Sequence, residues 1–99
     1  MTLNIRRIVT SHATDGKAIV GNDEIMENIQ QLRSGNFETL LWVTEESPAD
    51  VNGKDPTTTP RDIEPPKTGS IFRILELVPG KEAYMHRTNT IDYAICLSG

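Results

Sequence analysis

The sequence predicts a mostly β domain with one short helix, most simply a sandwich or barrel. Three observations carry that expectation. Short runs rich in β-branched and aromatic residues recur along the chain: Ile8-Val9, Ile19-Val20, Leu40-Leu41-Trp42-Val43, Ile71-Phe72 and the alternating Ile91, Tyr93, Ile95 and Leu97. Turn-forming segments separate them, among them residues 11–16 and Pro79-Gly80. A single stretch, residues 22–35, spaces its apolar side chains as a helix does.

Residues 4–10 and 17–20 read as two short strands around the turn Ser-His-Ala-Thr-Asp-Gly. His12 lies in that turn and is expected to be exposed. Beyond it, Ile25, Met26, Ile29 and Leu32 recur at helical spacing, Asn22 or Asp23 can cap the start, and Gly35 can close the end. A short helix is expected there, its apolar stripe packed on a core or barrel wall. Residues 37–44 return to strand chemistry, with Trp42 as a core anchor.

Residues 45–69 contain Pro48, Pro56, Pro60, Pro65 and Pro66 together with Thr57-Thr58-Thr59. That composition defeats both a helix and an inner strand, and predicts a long surface loop able to act as a lid. Residues 70–78 form a near-continuous apolar run, interrupted by Arg73 and Glu76 and ended by Pro79-Gly80, and read as a strand followed by a turn. Residues 90–97 are expected to be the last strand, with Ile91, Tyr93, Ile95 and Leu97 on one face and Asp92, Ala94 and Cys96 on the other.

A chain of 99 residues forms at most one small domain with little stability to spare, so residues 1–99 are read as one unit. A net charge of -4, with ten basic residues scattered along the chain, argues against a nucleic-acid partner. The only adjacent basic pair, Arg6-Arg7, is expected to be a solvated strand edge. No apolar stretch has the length of a membrane span or a signal-peptide core, so no membrane partner is expected. Cys96 is the only cysteine, which excludes an intrachain disulfide and fits a reducing cytoplasm.

The candidate chemistry lies near the last expected strand. His86, Thr88 and Asp92 share parity if the chain runs extended, and can converge across a hairpin if it turns between Arg87 and Thr90. Either geometry brings an imidazole towards a carboxylate. Tyr84 offers a phenol donor, whereas Tyr93 lies on the bulky face and reads as packing.

Gly80, His86, Thr88, Asp92 and Gly99 are spaced like the first cupin motif, whose residues at those places are Gly, His, His, Glu and Gly. The stretch Met-His-Arg-Thr-Asn-Thr-Ile-Asp-Tyr, residues 85–93, is similar to that of a cupin subgroup carrying His-Arg-Thr and Ile-Asp-Tyr. Ile-Arg-Arg-Ile-Val-Thr, Leu-Trp-Val-Thr and Ile-Phe-Arg-Ile-Leu-Glu extend the likeness along most of the chain. The sequence therefore resembles the N-terminal part of a cupin, a jelly-roll or double-stranded β-helix barrel, with the first motif at residues 80–99.

The resemblance implies a stand-alone cupin acting on a small organic molecule, akin to cupin-domain oxidoreductases of fungal polyketide clusters. It assigns His86 and Asp92 as acid-base residues or partial metal ligands, and Thr88 and Tyr84 to substrate binding. In metal-dependent cupins two His and a Glu of this motif, with a third His from a second motif, hold iron, manganese, nickel or zinc. Here Thr88 stands in place of the second His and Asp92 in place of Glu. The divalent site is then degenerate, is expected only in a complete barrel, and leaves the chain alone with less than stoichiometric metal. Two other readings remain open: a non-catalytic barrel for small-molecule binding or assembly, and an inactive truncated product. A barrel that stops after the first motif has an open edge, so self-association through that edge is expected as well.

Overall fold

The computed structural model describes residues 3–82 and 84–99. Five antiparallel strands make two sheets: β1 (Arg6–His12) pairs with β2 (Ala18–Ile25), and β3 (Ile29–Gln31), β4 (Phe37–Thr44) and β5 (Ser70–Glu76) lie in the order β3-β4-β5. One 3-10 turn, Pro56–Thr58, interrupts the long loop. The mostly β, antiparallel class is as the sequence predicts.

The first hairpin runs longer than expected. Ala13 donates to Lys17 O at 2.9 Å and Gly16 to Ala13 O at 2.9 Å, so the turn closes on itself and both strands extend from it. Gly21 is the extra residue where the register slips, Val9 facing Asn22 and Thr10 facing Val20, which makes a β-bulge. His12, at the turn, is exposed as expected.

The expected helix over residues 22–35 does not form among the described residues. Asn22, Asp23, Glu24 and Ile25 continue β2 against Val9, Ile8, Arg7 and Arg6, and Met26 N extends the pairing by donating to Ile5 O at 2.8 Å. Ile29, Gln30 and Gln31 then pair with Thr39, Glu38 and Phe37. Sheet partners therefore take the hydrogen bonds that a helix would have satisfied internally, and the β-branched Ile25 and Ile29 suit that outcome. Gly35 closes a hairpin instead of a helix: its φ of +87° is left-handed, its N–H donates to Leu32 O at 2.9 Å, and Leu32 N donates to Asn36 O at 2.7 Å.

β4 is the central strand, and it is the one with buried side chains on both faces, Glu38, Thr39, Leu40, Leu41 and Val43. With Met26 they supply the apolar core, whose four buried members Met26, Leu40, Leu41 and Val43 are each worth about 1.5–3 kcal/mol. Trp42 is half-buried at the edge of this core. The loop returns to β5 through Gly69, where a Cβ would stand 1.7 Å from the Thr44 carbonyl oxygen, so no side chain fits that crossing.

Residues 90–97, expected as a strand, have no sheet assignment. Ile91, Tyr93, Ile95 and Leu97 are 75–93% exposed, because no neighbouring strand among the described residues offers them a partner or a cover. The dimensions agree: extents of 52 × 30 × 23 Å and a radius of gyration of 15.3 Å exceed the roughly 13 Å of a compact chain this long.

Candidate functional site

Two places hold chemistry-bearing side chains, and they differ in burial. The first is the motif-spaced segment after β5. Gly80 turns the chain with a φ of +77°, and nearly every described residue beyond it is exposed. His86 stacks on Tyr84 with ring centroids 5.8 Å apart and planes 19° from parallel. Its Nδ1 lies 2.9 Å from the Tyr84 carbonyl oxygen. A carbonyl only accepts, so this contact selects the tautomer with the proton on Nδ1 and leaves Nε2 as the basic nitrogen.

Thr88 and Asp92 form a separate group. Thr88 Oγ1 and Thr90 Oγ1 are 2.7 Å apart, and Thr90 Oγ1 donates to Asp92 Oδ1 at 3.5 Å. The structure thus joins Tyr84 to His86, and Thr88 to Asp92 through Thr90. It makes no bond between His86 and Asp92. Among the described residues no three His, Cys, Asp or Glu side chains converge as metal ligands, and one imidazole with one carboxylate does not hold a divalent ion tightly. These residues do not fit a metal by themselves.

The second place lies beneath the long loop. Arg7, expected at a solvated edge, is buried, whereas its neighbour Arg6 is exposed and pairs with Asp23 at 2.7 Å. The difference follows from strand alternation: Arg7 points between the sheets, Arg6 away from them. Arg7 Nη1 donates to Leu41 O at 2.8 Å and to Thr57 Oγ1 at 3.2 Å, while Nη2 pairs with Glu24 and Asp55 at 2.5 Å each. One guanidinium therefore ties β1, β2, β4 and the loop together. Its fork of donors matches several oxygens at once.

Asp55 caps the 3-10 turn by accepting from Thr57 N at 2.9 Å and Thr57 Oγ1 at 2.7 Å. Burial pushes its carboxyl upward, but the Arg7 hydrogen bond, both Thr57 donors and the Arg7 charge together outweigh this and lower it to about 2. The Arg7 guanidinium is correspondingly held above its ordinary value, first by the Asp55 hydrogen bond.

By register, Gln30, Glu38, Leu40 and Arg73 share one face of the three-stranded sheet. With Asn28 they floor a recess of about 110 Å³, and Thr57, Thr58, Thr59, Pro60 and Arg61 of the loop roof it. Arg73 Nη1 pairs with Glu38 Oε2 at 2.9 Å, both side chains being largely buried, and Arg73 Nη2 holds the loop by donating to the Asp62 carbonyl. Arg61 pairs with Glu45. Chemically, the recess presents amide, hydroxyl, carboxylate and guanidinium groups, the charged ones engaged in the Arg73–Glu38 and Arg61–Glu45 pairs.

Sequence reasoning missed Arg7, Asp55, Asn28 and Glu38. Asp-Pro-Thr at residues 55–57 is a capping signature that could have flagged the turn, since Asp accepts from the N-terminal amides and Pro suits the first helical position. Arg73, noted as an interruption in an apolar run, marks the recess.

No protein-family profile matches the chain. It is 41% identical over 66 residues to the cupin-domain-containing oxidoreductase srdD of Neurospora crassa, covering 64% of this chain and 34% of that protein. The cupin-domain-containing oxidoreductase fogC of Aspergillus ruber is 26% identical over 97 residues, 94% of this chain and 48% of its own. Phomopsin biosynthesis cluster protein C' of Diaporthe leptostromiformis is 34% identical over 102 residues, 94% of this chain and 53% of its own. The chain spans about half the length of these curated relatives, and about a third of the first. With this likeness along nearly its whole length and an antiparallel β architecture, the chain is cupin-like.

Proposed function

We propose that the chain works within a cupin-type barrel that modifies a small organic molecule, by oxidation or reduction, in a fungal biosynthetic cluster. The observation that carries this reading is the likeness to proteins named cupin-domain-containing oxidoreductases, which reaches 94% of the chain. The spacing of Gly80, His86, Thr88, Asp92 and Gly99 supports it. His86, with Nε2 free to accept, is the acid-base residue; Asp92, in its separate group with Thr88 and Thr90, supplies a second acid-base group, and Tyr84 and Thr88 offer hydroxyls to the substrate. The sole cysteine, Cys96, suits a reducing cytoplasm.

A second reading, a non-catalytic barrel that binds a small molecule, is favoured by one feature: Thr88 occupies the place of a ligand His. Disrupting the gene and comparing extracts by mass spectrometry tests both. Loss of a compound and gain of one differing by two hydrogens or one oxygen is the expected result. An unchanged set of compounds would overturn the enzyme reading.

A further inference from the structure

We propose that Asn52–Gly53, in the exposed part of the long loop, is a self-modification site, where the Asn52 side chain reacts with the main chain and becomes isoaspartate or aspartate. This rests neither on the cupin likeness nor on His86.

The reaction needs an unbonded asparagine amide, a following main-chain N–H that no acceptor holds, and no side chain on that next residue to block the approach. Residues 52 and 53 meet all three conditions. Both are exposed and lie outside every strand. The main-chain N–H of Asn52 donates to Asp50 Oδ1 at 3.0 Å, but among the described residues neither the Asn52 side-chain amide nor the Gly53 N–H has a partner.

The other asparagines each lack a condition. Asn28 and Asn36 spend their amides on Leu40 O and Ser34 Oγ, and bulky Ile29 and Phe37 follow them. Asn22 is held in β2 and precedes Asp23. Asn4 and Asn89 are exposed, but the β-branched Ile5 and Thr90 crowd the nitrogen that must attack. Asp15–Gly16 could reach the same product by losing water. There, however, Gly16 N–H donates to Ala13 O at 2.9 Å and the Asp15 carboxylate accepts from Lys17 N at 3.0 Å, so the hairpin turn holds both reacting groups.

The step balances with water alone. Gly53 N gives its proton to solvent and attacks Asn52 Cγ; the new C–N bond closes a five-membered imide, the Cγ–Nδ2 bond breaks, and the nitrogen leaves as ammonia after taking up a proton. Water then opens the ring at Cγ to give aspartate, or at the Asn52 main-chain carbonyl to give isoaspartate. Either product adds a negative charge beside Asp50. Isoaspartate also inserts a methylene into the main chain just ahead of Asp55, which anchors the loop to Arg7.

Incubating the purified chain at mildly alkaline pH and physiological temperature, then mapping its peptides by mass spectrometry, tests the site. The expected result is a time-dependent gain of about one dalton at Asn52, resolved into isoaspartyl and aspartyl forms. Gly53→Ala should slow the conversion at least tenfold and leave the fold intact, because Gly53 lacks a positive φ and the added Cβ would meet only Asp50, no closer than 3.2 Å. Asn52→Gln should slow it as much, since the longer side chain must close a larger ring. A synthetic peptide of residues 47–58, run alongside, supplies the rate without the fold. No mass gain in the chain while the peptide converts, equal conversion at Asn4 or Asn89, or an unchanged rate in Gly53→Ala would overturn the proposal.

Discussion

The guanidinium of Arg7 on β1 donates to the main-chain carbonyl of Leu41 at 2.8 Å, at the bulge where β4 shifts register. Leu40 faces Arg73 and Trp42 faces Phe72, so Leu41 is the extra residue with no place in the β4–β5 ladder. A side chain from the other sheet thus meets a carbonyl that the bulge leaves outside the ladder, and the same side chain anchors the loop through Asp55. Arg7→Met should therefore cost about 2–3 kcal/mol, at the lower end for a buried ion pair because Asp55 and Glu24 keep some access to water. Urea denaturation measures it. An unchanged midpoint would mean that the clamp contributes nothing.

Asp55 sets an acid limit on the loop. Its folded carboxyl lies near 2, below the ordinary value of 3.8, so the unfolded chain binds the proton more readily. The stabilisation is complete above the unfolded value and is lost as pH falls from about 4 towards about 2; it amounts to on the order of 2 kcal/mol. Denaturation midpoints of the wild type and Asp55→Asn, compared from pH 6 downward, should converge in that window. Parallel curves would contradict the assignment.

The Glu38–Arg73 pair makes a different prediction. Removing Arg73 alone leaves a largely buried carboxylate and frees the Asp62 carbonyl, so Arg73→Met should destabilise by about 3 kcal/mol. Combining it with Glu38→Leu should recover part of that loss, since no charge is then left unpaired. Additive losses in the double variant would show that the two residues do not interact.

The exposed alternate side chains Ile91, Tyr93, Ile95 and Leu97 should drive self-association at micromolar concentration, because each leaves most of its apolar area in water. Light scattering should report a larger mass that falls on Ile95→Lys. A monodisperse monomer would rule this out. Association unaffected by the substitution would move the contact elsewhere, for example to Ile8, Val20 and Ile25, which are also exposed.

Local chemistry was legible and long-range chemistry was not. The first hairpin, β4, the proline-rich loop and β5 follow from β-branched runs and turn residues within a few positions of one another. Ile25, Met26, Ile29 and Leu32 misled, because their spacing fits a helix as well as two strand segments joined by a short connection, and only pairing with Ile5, Arg6 and Thr39 decides. Arg7 is bonded to residues 34 and 48 positions away, and no local pattern announces such partners. For the candidate site, the residues of the motif were read from spacing alone. Their grouping, Tyr84 with His86 and Thr88 with Asp92 through Thr90, depends on backbone geometry that spacing does not fix.

If the chain serves a cupin-type small-molecule conversion with His86 as its acid-base residue, the side chain of His86 is indispensable to turnover. The most direct measurement is product formation in the gene-disrupted strain after reintroducing the wild type or His86→Ala. His86 is exposed, and its hydrogen bond and ring stacking both go to Tyr84 two residues away, so the substitution should leave the fold and its melting temperature unchanged. The wild type should restore the product and His86→Ala should not. Equal restoration by both, with both proteins folded and present at the same level, would rule out an acid-base role for His86.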